Sequence, residues 1–208
     1  MSSLVLTADT LLGTPTIGST EFDGKAFYAT AQGTQRGVIP GAQFYRLNAD
    51  LVGANVTTAQ STFGVGVTLS TATIYAFEAN IALNKTAGAT SHTIAVGFGG
   101  AATLNNILYS VVNNIIGGGG NISINTSQNI GYINAATSTV ITSAVANAAT
   151  SSTIIIRGTV SINGGGSFTP QYTLSAAPGG AYSTVAGSYF LIYPIGTSGA
   201  NISVGAWA

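Results

Sequence analysis

Cysteine is absent from the 208 residues, which excludes a disulfide scaffold, thiolate zinc sites and iron–sulfur clusters and leaves the redox compartment unread. Histidine occurs once, at His92, so a multi-histidine metal site is excluded too. Charge is scarce: five Lys and Arg balance five Asp and Glu, and together they make 5% of the chain, against roughly a quarter in an ordinary soluble domain. Five scattered cations cannot line a phosphate backbone, so no nucleic-acid partner is expected. Docking to an anionic membrane fails for the same reason. No apolar run reaches the roughly 18 residues of a membrane span. No basic stretch precedes Asp9, so neither membrane insertion nor a secretory signal is expected. None of the glycine clusters is followed by Lys-Ser or Lys-Thr or has the Gly-x-Gly-x-x-Gly order, and no cofactor is expected.

What is present is 46% hydrophobic residues and 28 glycines, in a chain long enough for one domain with a sizeable core. That composition excludes disorder and describes a turn-rich fold surfaced by Ser, Thr, Asn and Gln. So little charge limits the solubility of a monomer, which points to burial of part of the surface in an oligomer. Nine of the ten charges precede residue 86, and only Arg157 follows. The expected division is an N-terminal attachment or assembly segment over 1–56 and a body over 57–208.

Within the body, apolar and polar residues alternate in short runs separated by Gly, Asn and Ser, the pattern of half-buried strands. Ile74 to Leu83 places Tyr75, Phe77, Ala79, Ile81 and Leu83 on one face and Glu78 and Asn80 on the other. His92 to Phe98 and Ser152 to Ile162 alternate likewise, and further strands are expected at Asn121 to Thr126, Ser138 to Ala146, Phe168 to Leu174, Ser188 to Tyr193 and Ile202 to Trp207. The runs Gly117 to Gly120 and Gly164 to Gly166 read as hairpins or loops. Leu104, Ile107, Leu108, Val111, Val112, Ile115 and Ile116 recur at helical spacing, with Thr103 as N-cap and Gly117 as C′ residue. The asparagines and β-branched residues among them favour a strand, and both readings stay open. The expected fold is all-β, an antiparallel sandwich or jelly-roll-like domain, trimeric, with at most one short helix.

Few residues could carry chemistry. Glu21 and Asp23 lie two apart and would share a strand face, as a glycosidase acid pair or calcium ligands would, but the Asp-Gly step favours a turn with solvated charges. No Gly-x-Ser-x-Gly elbow accompanies His92, which reads as a strand residue, and no residue is predicted to be catalytic. Five Asn-x-Ser/Thr sequons reflect composition. Glu78 and Arg157 each sit alone in an apolar strand, so a buried ion pair between them is expected, within one chain or across a subunit interface. Tyr182 is the candidate loop aromatic for receptor or partner contact.

The string Thr14-Pro-Thr-Ile-Gly-Ser-Thr-Glu-Phe-Asp-Gly-Lys-Ala-Phe-Tyr-Ala-Thr30, followed by Arg36-Gly-Val-Ile-Pro40 and Gln43-Phe44, resembles the start of the C-terminal head domain of bacteriophage tail-fibre-like structural proteins of the cyanophage and marine-phage type. Tyr75-Ala-Phe-Glu78, Thr90-Ser-His-Thr93, Gly97-Phe-Gly-Gly100, Ile156-Arg-Gly158, Thr169-Pro-Gln171, Ser175-Ala-Ala-Pro-Gly179, Gly187-Ser-Tyr-Phe190 and Pro194-Ile-Gly196 continue the likeness in the same order over nearly the whole chain. The resemblance implies a non-enzymatic homotrimeric module on the virion surface, with other tail or capsid proteins and host-surface glycan as partners. Such domains usually end a long fibre, whereas here the Thr-Pro motif falls within fifteen residues of Met1. Attachment through Ser2 to Leu12, or a place on the phage head as a capsid decoration or cement protein, are both expected uses. A glycan depolymerase, with Glu21 and Asp23 as its acid pair, is the alternative of another class. An ice-binding or surface-layer protein would need a regular Thr-x-Thr ladder, and Thr14/Thr16 and Thr71/Thr73 recur without a period.

Overall fold

The computed structural model describes residues 4–117, 127–202, 204 and 207. Among them there is no helix, and sixteen strands form three antiparallel sheets. The alternation over Ile74 to Leu83 becomes β8 (Thr73–Lys85), whose odd-numbered residues are buried from Thr73 through Lys85. β8 is the spine of the larger sheet. On one side it pairs with β13 (Thr150–Gly164), which pairs with β10 (Thr103–Gly117) and then β11 (Ser127–Ile133). On the other it pairs with β15 (Ser183–Thr184) and β16 (Tyr189–Thr197). β5 (Leu51–Val52) and β4 (Gln43–Arg46) flank these two in turn. The second sheet runs β12 (Thr139–Val140), β9 (Ile94–Gly99), β14 (Gly166–Leu174) and β6 (Gln60–Ser61), with β7 (Val67–Leu69) also on β14. A small third sheet holds β1 (Thr20–Phe22), β2 (Phe27–Gln32) and β3 (Gln35–Ile39).

Apolar faces of the two larger sheets close on one core. Ile81, Leu83, Ile94, Ile154, Ile156, Val160 and Ile162 are fully buried, each burial contributing about 1.5–3 kcal/mol before entropy is charged against it. An aromatic cluster fills the middle, with Phe98 and Phe168 stacked at 4.6 Å and Phe77 edge-on to Phe98 at 5.2 Å. Gly158 sits in register between Phe77 on β8 and Tyr109 on β10. A Cβ there would run into the Leu108 carbonyl and the Tyr109 side chain, so only glycine admits the rings at this layer.

The segment with helical spacing is a strand, β10. A register shift between Leu104 and Asn106 precedes a stretch in which Ile107, Tyr109 and Val111 point inward while Leu108 and Val112 lie exposed. Apolar residues on both faces of one strand imitate the i, i+4 recurrence of a helix. Thr103 is no N-cap: its hydroxyl accepts the Gly164 amide at 2.8 Å.

Other expectations are corrected. Within the N-terminal 56 residues, β1 to β3 form the small sheet, whereas β4 and β5 pair in the larger one. Gly164 to Gly166 does not close a hairpin: it carries the chain from β13 in one sheet to β14 in the other. Ser138 to Ala146 yields only β12 and a bridge from Val145 to His92. Ile202, Val204 and Trp207 lie in no strand. Asn121 to Thr126 and Gly118 to Gly120 lie outside the described residues.

Candidate functional site

Glu78 and Arg157 face each other across the β8–β13 ladder, on the side of the larger sheet turned away from the core. The Arg157 Nε donates to Glu78 Oε2 at 2.9 Å, and the Tyr189 hydroxyl of β16 donates to Oε1 at 2.6 Å. The expected pairing is therefore found within one chain, but its burial is corrected: the side chains are 68% and 30% exposed. Parity explains it, because an even-numbered residue of β8 faces outward when the odd-numbered ones form the core. The Tyr189 hydroxyl, then Arg157, hold the Glu78 carboxyl below its ordinary range against the opposing effect of burial. The same hydrogen bond, followed by burial, raises Tyr189.

Glu21 and Asp23 are each committed to partners inside the chain. Glu21 on β1 takes a two-pronged contact from Arg36 on β3, at 2.9 Å from Nε and 3.0 Å from Nη2, and accepts the Leu12 amide at 2.7 Å. The second guanidinium arm also donates to the Leu12 carbonyl at 2.6 Å. Arg36 and Glu21 side chains are only 17% and 10% exposed, so the expectation of a solvated Glu21 is corrected. The Arg36 hydrogen bond holds the Glu21 carboxyl below its usual range, with burial opposing and the Leu12 amide helping. Asp23 does form the expected Asp-Gly turn: its Oδ1 accepts the Lys25 and Ala26 amides at 2.8 and 2.7 Å, and Gly24 adopts φ 84°. Its Oδ2 accepts the Tyr28 hydroxyl at 2.9 Å, and burial followed by that contact pushes Tyr28 up to about 12. Asp23, Tyr28 and Arg36 line an open cleft of about 680 Å³ that Asn201 and Ile202 complete.

Tyr182 is not a surface contact. It is fully buried, and its hydroxyl lies 2.9 Å from Nε2 of His92, which is itself buried. The other ring nitrogen is 2.8 Å from the Thr90 carbonyl, which can only accept, so Nδ1 carries a proton. In the neutral ring Nε2 then accepts from Tyr182. Burial pushes the Tyr182 phenol up to about 12. Sequence reasoning missed the third member of this node, Lys85, whose Nζ lies 5.8 Å from the centre of the Tyr182 ring. The available signal was parity, since residue 85 shares its face with Tyr75 and Leu83.

Among the described residues apolar surface stays open at several places. On the small sheet Phe22, Phe27 and Ile39 are direct cross-strand neighbours, the two rings stack at 4.4 Å, and Phe27 and Ile39 are exposed. At the mouth of the sandwich Phe44, Tyr45, Val65 and Pro170 line a slot of about 200 Å³. Among the described residues no cluster of three or more His, Asp or Glu could hold a metal, and no helix is long and apolar enough to cross a membrane. No family model matches the chain, and no curated protein matches it in sequence.

Proposed function

We propose that this chain is a structural module of a bacteriophage virion, tail-fibre-like, working at the particle surface by adhesion and packing rather than by bond cleavage, and self-associating as a homotrimer. The observation that carries this reading is the apolar stripe Phe22–Phe27–Ile39, left open on a nearly uncharged all-β molecule. Exposed apolar patches on such a surface are the mark of an interaction site, and a second copy or another virion protein would cover this one without desolvating charge. Support for a virion as the particle comes from the resemblance of motifs between Thr14 and Gly196 to the C-terminal head domain of tail-fibre-like proteins. The described acidic side chains serve as structural hydrogen-bond acceptors, which suits a packing role.

Immunogold labelling of intact phage particles with an antibody to this chain tests the reading. Label on the tail or its fibres supports host attachment, label over the head makes the chain a capsid decoration protein, and unlabelled particles overturn the virion assignment. Sedimentation equilibrium checks the trimer, which a monomer at all concentrations would refute. Activity on host polysaccharide that disappears when Glu21 and Asp23 are both changed to alanine would instead favour the depolymerase.

A further inference from the structure

The last residue of β8 is a lysine on the inner side of the strand. Lys85 is 1% exposed. Its ammonium group is surrounded by four backbone carbonyls: Gly88 at 2.5 Å, Asn147 at 2.6 Å, and Ala87 and Ala148 at 3.2 Å. Among the described residues no carboxylate pairs with it, since both ion pairs belong to arginines. A buried cation normally carries a counter-ion. Here, among the described residues, its charge is met by carbonyl dipoles and the face of the Tyr182 ring.

We propose that the carbonyls of Ala87, Gly88, Asn147 and Ala148 form a binding site for a monovalent cation of potassium or ammonium size, which this chain fills with its own tethered ammonium. Carbonyl oxygens turned toward one centre replace the hydration shell of such an ion, as they do in ion filters. Without a cation between them, four carbonyls converging on one centre would set like ends of their dipoles against one another. The ammonium has three protons for four acceptors, so the donors are shared, which suits a compact point charge better than a planar guanidinium.

The site joins the loop after β8 to the segment before β13, 62 residues apart in sequence. The first loop is in turn fixed to the turn at Pro178, whose carbonyl accepts the Thr90 amide at 3.2 Å, and a Cβ on Gly88 would collide with that turn. The neighbouring Gly179 amide is held by Asn55 Oδ1 at 2.9 Å. One cation thus locks the loops at this end of the sandwich into a single platform. Its exposed residues are small and uncharged, among them Thr86, Ala89, Thr90, Ala146 and Asn147.

The test is Lys85→Ala in the full chain, melted in choline, sodium, potassium and ammonium chloride at equal ionic strength. In choline chloride the variant should lose on the order of 10 °C in Tm. Potassium and ammonium should restore part of that loss while leaving the wild type unmoved. Lys85→Met, whose side chain occupies the space without the charge, should lose stability with no rescue. A variant Tm equal to wild type, or the same loss in all four salts, overturns the proposal. A second measurement needs no variant: acylation of the native protein followed by peptide mass spectrometry. Lys25 should react and Lys85 should stay protected until the protein unfolds, and equal rates at the two lysines would show that the cage is open.

Discussion

Two arginine–glutamate pairs in this molecule share the same closest approach of 2.9 Å, and they differ in nearly everything else. Glu21–Arg36 bridges the outer strands of the small sheet, is made by two nitrogens, is joined by both backbone groups of Leu12, and is largely covered. Glu78–Arg157 joins neighbouring strands of the larger sheet by one nitrogen, with the arginine mostly in water and Tyr189 as the second donor to the carboxylate. Contact distance does not set the strength of an ion pair. Exposure and the number of groups depending on it do.

That contrast can be tested most forcefully at Arg36. Arg36→Gln strands the Glu21 carboxylate and frees the Leu12 carbonyl, and should cost about 2–3 kcal/mol, below the roughly 3–5 of a fully buried pair. Thermal melting should show a Tm lower by about 5–10 °C, and an unchanged Tm would mean the covered pair adds nothing. Acid is the next lever. The folded Glu21 carboxyl titrates below its ordinary 4.5, so its contribution is fully present above that pH and is lost as pH falls through the folded value. Urea unfolding between neutral pH and pH 3 should therefore show stability draining below about 4.5. Glu21→Gln should flatten that loss, and Glu78→Gln should leave most of it.

Smaller effects belong to the exposed pair. Arg157→Gln should cost under about 1 kcal/mol, and a double-mutant cycle with Glu78→Gln should give a coupling that shrinks as sodium chloride is added. A salt-insensitive coupling of several kcal/mol would place the pair in an interface between copies. The smallest expected change is at Tyr189→Phe, about 0.5 kcal/mol by denaturant titration. Because the Tyr189 hydroxyl is the largest influence holding Glu78 low, NMR titration of the variant should find the Glu78 carboxyl moved up toward its ordinary range.

Much of the sandwich was legible along the chain. The inward residues of β8, β9 and β13 follow from alternation alone, because a strand's side chains point to opposite faces whatever the strand pairs with. β10 was harder, since apolar residues on both its faces obscure the period, and a bulge near its start shifts the parity. The glycines of 164–166 leave hairpin and loop both open, because local composition registers a tight turn and not which sheet the chain enters next. Tyr182 was misplaced for a related reason. Its neighbours read as loop, yet its ring closes over His92, 90 residues away, and over the Lys85 cage.

By itself the sequence determined an all-β fold, the absence of thiolate chemistry, a surface almost without charge, and the inward side of β8, β9 and β13. These depend on composition and on a backbone period of two residues, both local properties. Only the tertiary structure decided which charges meet and how deeply. Glu78 finds Arg157 across 79 residues, and Lys85 gathers carbonyls from two loops. Such contacts depend on strand register and loop closure, which a one-dimensional pattern does not specify. Strand parity placed Glu78 outward and Lys85 inward, and the surrounding backbone then decided that one charge lies against solvent and the other inside a cage of carbonyls.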